Sequence, residues 1–496
     1  MRLLRIWLAL ALFGTLAPAQ TNAPIETRRL SLQDCIELAL KHNLDLQIDR
    51  YNPQIALFTL NQAYGGFDPT LSISGQHDHS ESGRQLLAGG FIIPSASSDD
   101  NRFSSGLTGA SPIGTTYSFT GSAIDTYGAS GGSDFRNSVG SASFSLTQPL
   151  LKNFWIDSNR LTIRVAKNRL KYSELLLKLQ IMQTVTALEQ GYYDLIYSRQ
   201  NVVVQQKAVE LAERLVQENR KRLEVGALAP LDLQSAEAQA ASSRAAVIAA
   251  QIQADTQARV LKQLITDQYR EWAYIALEPS GTLTAPPPVV NLQDSWNKGL
   301  SERPDLLQAR LDVERQGIQL KYDRNQLYPE LDAFGTYGYN GTGPQFSDAF
   351  YDMQLFDRRF YTYGGRISVP LTNIRARNAY RSDKANLQQL VLTLKKQEQA
   401  IMIQIDNDVG TIRANFDQVQ ATRTAREYEE AALDAEQKKL QSGKSTTYTV
   451  LQVQRDLTSA RGSEIQALDT YNKSLSQLSI DEGSTLDRLG IDLEVK

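Results

Sequence analysis

An internal duplication constrains this chain more than any other feature of its sequence. Residues 31–50 align with residues 291–310 at an offset of 260, and the alignment contains seven identities. The offset falls to 221 at Pro149/Pro370 and is 217 at Gly226/Gly443, so the first copy carries about forty extra residues. The identical pairs of the first alignment are Leu32/Leu292, Gln33/Gln293, Asp34/Asp294, Leu40/Leu300, Asp45/Asp305, Leu46/Leu306 and Arg50/Arg310.

The duplication changes the number of domains that the length alone would suggest. A chain of 496 residues would ordinarily fold as about three globular domains. We predict instead two copies of one unit, repeat 1 at 20–277 and repeat 2 at 291–496. A proline-rich, helix-free linker at 278–290 joins them.

The first residues have the pattern of an export signal. Arg2 and Arg5 precede an apolar stretch that is too short for a permanent membrane anchor. Ala17-Pro18-Ala19 then supplies the small residues that a signal peptidase recognises. We therefore predict a signal peptide at residues 1–19; an ordinary buried helix is the alternative.

Composition excludes several classes of protein. With 52 basic and 55 acidic side chains the net charge is −3, so nothing indicates a nucleic-acid partner. One cysteine, Cys35, excludes a disulfide framework and a zinc site built from thiolates. The mean hydropathy is −0.36, and the only long apolar run lies at the start. A helical membrane protein is excluded, but a membrane protein is not.

Each repeat contains two helical segments of unusual length. Residues 159–225 lack proline and carry an apolar stripe at seven-residue spacing, which is typical of a coiled-coil seam. A helix of 67 residues would be about 100 Å long, a length suited to a periplasmic spacer. A soluble coiled-coil rod is the alternative. The long helices are predicted at about 159–225, 231–276, 374–442 and 446–480, with a short helix at the start of each repeat and a polar tail at the end.

The segments at about 69–149 and 329–371 alternate in polarity with a period of two. Tyr361, Tyr363 and Ile367 share one face of a predicted strand, for example, and Thr362 lies on the other. Such segments are typical of outer-membrane β-barrels, although a soluble β-sandwich shows the same alternation. Four clear strands per chain cannot close a barrel, and open edges are not tolerated in lipid, so a membrane structure requires several chains. Residues 83–138 form either extra strands or an external loop.

Six motifs together resemble the TolC-like outer-membrane efflux proteins, over essentially the whole chain after the signal. Each is loose alone, but their duplicated order is specific. They are Leu32-Gln-Asp…Ala39-Leu40…Asn43…Leu46, Gln148-Pro149-Leu150-Leu151…Arg160, Arg222-Leu-Glu-Val-Gly226…Asp232-Leu-Gln-Ser-Ala-Glu237, Glu302-Arg303-Pro304-Asp305-Leu306, Val369-Pro370-Leu371-Thr372-Asn373…Ala376-Arg377, and Lys439-Leu-Gln-Ser-Gly443…Val450-Leu-Gln-Val-Gln454.

The resemblance implies a mixed α+β membrane protein that works as a homotrimer. Each protomer would give four strands to a twelve-stranded transmembrane β-barrel in outer-membrane lipid, and its coiled-coil helices would form a hollow α-barrel across the periplasm. Family members dock onto a periplasmic adaptor and an inner-membrane pump. The implied function is therefore a passive exit duct of a tripartite efflux or type I secretion system. A soluble coiled-coil adaptor is the alternative, and the sequence does not name the cargo.

The turns between the long helices are the expected adaptor contacts. Glycine can adopt the left-handed conformation that ends a helix, and Pro230 suits the first turn of the next helix. A plain capped turn is the alternative. The two tips comprise Val225, Gly226, Ala227 and Leu228, and Ser442, Gly443, Lys444 and Ser445.

Two further residues are candidates for a channel constriction. Asp232 lies where family members carry a carboxylate near the channel mouth, and three copies would form an acidic ring that favours cations. The alternative is an acid that stabilises a helix N-terminus. The equivalent position in repeat 2 is Thr449, where many relatives carry a second acid.

No pattern indicates an enzyme, a cofactor or a metal centre. His77 and His79 would share a strand face as two possible metal ligands, but a polar strand end explains them as well. Cys35 has no histidine motif beside it and is expected to pack in the first short helix.

Overall fold

The computed structural model describes residues 26–491, except residues 87, 91, 131 and 132. The predicted signal peptide lies outside the described residues. The chain divides into two compact units, and each unit draws on both repeats. The first unit contains Met1–Leu44, Ala187–Pro287 and Ala414–Lys473, and the second contains Asp45–Thr186, Pro288–Arg413 and Ser474–Lys496.

The helices include two of 67 and 68 residues, α4 and α10. No helix in the described part of the chain is long and apolar enough to cross a membrane. In chain order they are α1 Leu32–His42, α2 Leu44–Asp49, α3 Tyr51–Tyr64, α4 Ser158–Glu224, α5 Pro230–Ile265, α6 Tyr269–Trp272, α7 Leu292–Glu302, α8 Pro304–Asn325, α9 Phe346–Gln354, α10 Ile374–Gln441, α11 Thr447–Glu482 and α12 Thr485–Leu489.

Within the described residues the strands form one large sheet and two small ribbons. They are β1 Thr27–Leu30, β2 Thr70–Ser82, β3 Gln85–Leu86, β4 Ile92–Ile93, β5 Ala96–Ala110, β6 Thr116–Ser130, β7 Ser133–Pro149, β8 Ala276–Pro279, β9 Glu330–Gly343 and β10 Arg359–Ser368.

The same helices occur twice, at the offsets that the sequence gives. Helices α1 and α7 begin and end 260 residues apart, and α5 and α11 begin and end 217 residues apart. One expected boundary is wrong: α5 ends at Ile265, not at about 276. Thr266 is extended (φ −141°, ψ 145°) and its hydroxyl accepts a hydrogen bond from the Gln268 amide, so the chain leaves the helix there.

One proline explains a difference between the repeats. Helix α8 is continuous, whereas the corresponding segment of repeat 1 is divided into α2 and α3 around Arg50. Pro53 lies four residues after Asp49, and a proline ring clashes with the carbonyl four residues before it. Repeat 2 has Val313 at the equivalent position, so α8 continues.

The first unit is held together by strand pairing and by tyrosine hydroxyls. Strand β1 pairs in parallel with β8. The Tyr192 hydroxyl donates to the Leu30 carbonyl (3.1 Å) and accepts from the Gly281 amide (3.0 Å). The Tyr471 hydroxyl donates to the Pro286 carbonyl at 2.6 Å. The proline-rich linker is therefore fixed against the helices of this unit.

The predicted apolar seam is present, with a difference between the repeats. In α4 the members Ile181, Leu188 and Leu195 are buried, but later members are only half-buried. A straight helix rotates by about 20° per heptad relative to a seven-residue repeat, so burial passes to neighbouring positions such as Ala212 and Leu215. In α10 the stripe stays buried at Ile405, Ile412, Val419, Leu433 and Leu440.

The second unit contains a six-stranded antiparallel sheet in the order β10-β9-β7-β6-β5-β2. Six strands agree with the prediction of four or more per protomer, whereas the family resemblance alone implies four. The difference comes from β5 and β6, which lie in the segment that the sequence left open between strands and a loop. Helix α9, which the sequence did not predict, packs on one face of the sheet, where a side chain at Gly341 would collide with the Ala349 carbonyl.

Candidate functional site

The first helix tip is closed by a pair of backbone hydrogen bonds. Gly226 has φ +72°, its amide donates to the Leu223 carbonyl (2.9 Å), and the Ala227 amide donates to the Arg222 carbonyl (2.8 Å). These bonds satisfy carbonyls that the end of α4 leaves open, and they define a Schellman motif. The left-handed conformation explains why glycine occupies this position.

The second tip repeats this geometry 217 residues later. Gly443 has φ +71°, its amide donates to the Leu440 carbonyl (3.2 Å), and the Lys444 amide donates to the Lys439 carbonyl (2.8 Å). The Ser445 hydroxyl also donates to the Glu436 carboxylate. This hydrogen bond, followed by the one that Lys439 donates, lowers the pKa of Glu436.

The two constriction candidates occupy equivalent positions in the helices that leave the tips. Asp232 is the third residue of α5, which begins at Pro230, and Thr449 is the third residue of α11. The Thr449 amide donates to the Thr446 hydroxyl, which caps α11. Asp232 is half-buried, and no salt bridge to it occurs among the described residues. The structure therefore places both side chains in a first helical turn, one charged and one neutral.

Each tip exposes apolar side chains, and two of them, Leu231 and Tyr448, were not among the predicted tip residues. Val225, which was predicted, is 79% exposed, Leu231 is 71% exposed and Tyr448 is 68% exposed. Leu231 and Tyr448 are equivalent, because each is the second residue of its helix. A large apolar residue in the polar first turn of a helix was the signal that could have identified them.

An ion cluster replaces the apolar seam where the seam of α10 is interrupted. Arg426 takes the seam position that Val209 has in repeat 1. Its guanidinium lies 2.6 Å from the Glu464 carboxylate and 2.9 Å from that of Glu430, and Arg461 reaches Glu430 at 2.7 Å. Arg461 is the largest cause of the lowered pKa of Glu430, and Arg426 adds to it. The pairing of α10 with α11 is therefore ionic at this level.

The large sheet has two chemically different faces. On one face, the pairing register brings large apolar side chains into adjacent rows, and all of them are exposed in the single chain. On the other face, serine and threonine pairs cross from strand to strand, as in Ser74–Ser104 (2.6 Å) and Ser122–Ser141 (2.8 Å). The apolar residues are Leu71, Ile73, Phe103, Leu107, Phe119, Phe144, Leu146, Tyr337, Tyr361, Tyr363 and Ile367.

The two histidines of β2 lie on the apolar face, at the end of the sheet away from the long helices. His79 is hydrogen-bonded to Asp99 (2.7 Å) and His77 to Asn101 (2.8 Å). No group of three or more metal-ligating side chains occurs in the part of the chain that the structure describes. These residues form a polar end to the apolar rows.

Cys35 is buried in α1, and burial raises its pKa to about 12.

Arg303, from one of the motifs behind the family resemblance, organises a half-buried acidic pair in the second unit. Its guanidinium donates to Asp305 (2.9 Å) and lies 3.4 Å from Asp481. Gln404 also donates to Asp481 at 2.7 Å. Asp408 lies beside Asp481, and burial, followed by this hydrogen-bonded neighbour, raises the pKa of Asp408 to about 7, although Arg303 opposes the shift.

Comparison with known proteins agrees with this geometry. The sequence profile of the family described as "Outer membrane efflux protein" matches residues 35–266 and 296–479, most of the chain. The chain belongs to this family. It is 23% identical over 376 residues to the outer membrane efflux protein BepC of Brucella suis, covering 75% of this chain and 78% of that protein.

Solved channel structures share the fold at low sequence identity. The outer membrane channel CmeC of Campylobacter jejuni superposes with a TM-score of 0.67 at 14% identity, covering 92% of this chain and 86% of that one. VceC of Vibrio cholerae gives a TM-score of 0.66 at 19% identity, covering 91% and 96%. The predicted tandem-repeat fold of long helices and β-strands is therefore confirmed, as are the TolC-like resemblance, the outer-membrane location with a periplasmic extension, and the role as an efflux channel component. The soluble adaptor is not favoured.

We expect stability to decrease as the pH rises through the range in which Asp408 ionises. The folded chain keeps a proton on Asp408 up to about pH 7, whereas the unfolded chain releases it near the ordinary pKa of 3.8. Between these values the folded state binds more protons, so the free energy of unfolding falls with pH and is level above pH 7. Asp408→Asn should remove about 1–2 kcal/mol of this fall, a figure reduced for partial exposure.

Thermal unfolding of detergent-solubilised protein between pH 5 and 8 measures this effect. Asp406→Asn is the matched control, because it removes an exposed carboxylate two residues away on the same helix. Parallel pH profiles for wild type and Asp408→Asn would contradict the prediction.

Proposed function

We propose that three copies of this chain assemble into a passive exit duct for a tripartite efflux or type I secretion system. The observation that carries the proposal is the sheet with one apolar and one polar face. A surface of eleven exposed aromatic and aliphatic side chains is costly in water but stable against lipid. The serine-rich face would then line a water-filled lumen.

The edges of the sheet support an assembly of several chains. Strands β2 and β10 are the outer members of the sheet, and each pairs on one side only within the described residues. Lipid offers no hydrogen bonds to unpaired backbone groups, so an open edge cannot persist in the membrane. Pairing β10 of one protomer with β2 of the next would satisfy both edges. The family resemblance favours three protomers.

The remaining parts of the chain suit a duct and not a catalyst. The long helices carry polar side chains around most of their surface, as expected for a wall that is wet on both sides. The family is one of channels. We therefore propose that the protein has no enzymatic activity and no cofactor of its own. The energy for transport would come from an inner-membrane pump.

We propose further that the two tips contact a periplasmic adaptor. Val225, Leu231 and Tyr448 are exposed apolar residues beside rigid, hydrogen-bonded turns. Apolar side chains on a preorganised surface are typical of a protein interface, because binding then orders few groups. Of the predicted tip residues, Gly226 and Gly443 would contribute by fixing the conformation of the turns. Lys444 would contribute its positive charge to the adaptor contact.

Two cysteine variants test the faces of the sheet. Thr362→Cys is on the polar face and should react rapidly with a water-soluble maleimide in outer-membrane vesicles. Tyr363→Cys is adjacent but on the apolar face, and it should react at least about tenfold more slowly because lipid covers it. Native Cys35 should stay unlabelled, since it is buried and its pKa is near 12. Equal labelling rates, or recovery of the protein in the soluble periplasmic fraction, would contradict the membrane assignment.

A photo-crosslinking residue at Val225 tests the adaptor contact. Adducts with a periplasmic adaptor, identified by mass spectrometry, are expected at Val225 because its side chain projects from the tip. The same residue placed at Tyr428 is the control, since Tyr428 is similarly exposed but lies 13 residues before the end of α10, about 20 Å from the tip. Adducts at Tyr428 and none at Val225 would place the adaptor elsewhere.

Substitutions at the two constriction candidates test the acidic ring. Asp232→Asn should lower the cation-to-anion permeability ratio in planar bilayers by about fivefold, because three carboxylates near a narrow pore contribute about 1 kcal/mol. Thr449→Asp should raise the ratio, since it adds a second ring at the equivalent position. Unchanged reversal potentials for both variants would show that these residues lie away from the ion path.

A further inference from the structure

Two strands of the sheet have no counterpart in the second repeat. Leu71 and Gly75 of β2 align with Leu331 and Gly335 of β9, and Pro149 at the end of β7 aligns with Pro370, just after β10. Strands β5 and β6 lie between β2 and β7, where the offset of the duplication changes. They are therefore an insertion in repeat 1.

The insertion lies inside the sheet and not in a loop beside it. Strand β5 pairs with β2 along the whole of β2, from Thr70↔Thr108 to Ser82↔Ala96, and with β6 on its other side. Strand β6 then pairs with β7 from Thr116↔Thr147 to Ser130↔Ser133. The two inserted strands therefore separate β2 from β7 over their full length.

The inserted hairpin also crosses the full height of the sheet. Its turn is closed by a hydrogen bond from the Ser111 amide to the Thr115 carbonyl at 2.8 Å. Gly114 in this turn lies beside Asn153 and Arg160, at the end of the sheet where β7 leads into α4. Each inserted strand consequently runs from the helix end of the sheet to its opposite end, as β2 and β7 do.

Both faces of the sheet continue without interruption through the insertion. Phe103, Leu107 and Phe119 extend the apolar rows. The polar face is continued by Ser104, which is hydrogen-bonded to Ser74, and by Thr120, which is hydrogen-bonded to Ser143 at 2.9 Å. The inserted strands thus have one apolar face and one polar face, as do the strands that the two repeats share.

We propose that the inserted hairpin widens the outer-membrane pore by making the trimer an eighteen-stranded barrel. This inference depends on the trimeric duct proposed above. Six strands from each of three protomers close with β10 antiparallel to β2 of the neighbour, since β2 leaves the helix end and β10 returns to it. Barrel diameter grows roughly linearly with strand number, so the diameter is about 1.5 times, and the cross-section about 2.25 times, that of twelve strands. The hairpin therefore determines the largest hydrophilic solute that can enter the outer-membrane part of the pore.

The decisive variant removes the inserted strands and keeps the others. Residues 83–132 are replaced by residues 344–358, the segment that joins β9 to β10, so that β2 and β7 become neighbours as β9 and β10 are. The control replaces only residues 83–95 with a short glycine-serine loop, which leaves all six strands in place. Native mass spectrometry first establishes whether each protein is a trimer.

The size of the lumen is then measured with Thr362→Cys, which all versions retain on the polar face. Polyethylene-glycol maleimides of increasing mass are added to outer-membrane vesicles and to nanodiscs. Wild type and the loop control should react with the larger polymers, and the strand-deletion variant should lose this reaction while still reacting with the smallest reagent. Electron cryo-microscopy of the wild-type trimer in nanodiscs should show eighteen strands.

The outcomes separate this inference from the proposed function. A monomer or a soluble protein would contradict the trimeric duct itself. A wild-type trimer with twelve strands in its barrel, or identical polymer limits for trimeric wild-type and strand-deletion proteins, would overturn the wide pore and leave the duct intact. If the strand-deletion variant does not fold, the number of strands in the wild-type barrel tests the inference: eighteen strands support it and twelve overturn it.

Discussion

The unpaired backbone groups at the two edges of the large sheet limit the environments in which this chain can be stable. Each interior strand pairs on both sides, but β2 and β10 pair on one side only among the described residues. In water such edges invite aggregation, and in lipid they are not tolerated. The apolar face makes lipid the favourable medium, and in the proposed assembly strands from other protomers would pair with both edges. The same unpaired edges would then account for the need for several chains and for the closed sheet in the membrane.

The long helices have a different requirement. They must pack against one another while much of their surface stays in contact with water. The α10 stripe from Ile405 to Leu440 does this with a narrow apolar seam. At Arg426 the seam is interrupted, and charged partners from α11 take its place. A half-exposed ionic contact holds helices together less firmly than a dry one. The long helices of the two repeats are therefore similar in backbone and unequal in the strength of their packing.

Much of the helical structure could be predicted from residues with a strong local effect. Gly226 and Gly443 end helices, Pro230 begins one, and the heptads run between them. The end of α5 was missed because Thr266 follows a sequence that is still helical in character, and the pairing of β8 with β1 is a tertiary event. Tyr448 was missed because it lies in the first turn of α11 and not in the glycine turn itself, although a large apolar residue there is a signal of its own.

The sheet was harder to predict than the helices. Strands β5 and β6 contain serine, glycine and aspartate at many positions, so their period of two is weak, and only the register with β2 and β7 reveals their faces. Helix α9 follows a strand and precedes another, and its short amphipathic sequence gives little signal of its own. In the proposed trimer the surroundings of Asp232 would come from three chains together, which the pattern of one sequence does not determine.

The two compact units alternate along the sequence, and this order has a consequence for biogenesis. Arg29 of β1 meets its partner Glu278 of β8 only after 249 further residues have been exported. The first unit also needs residues up to Lys473, so neither unit can be completed until the second repeat has crossed the inner membrane. During that time the apolar rows of β2 to β7 lack β9 and β10. A chain with this order of contacts should depend on periplasmic chaperones that hold the first repeat until nearly the whole polypeptide has emerged.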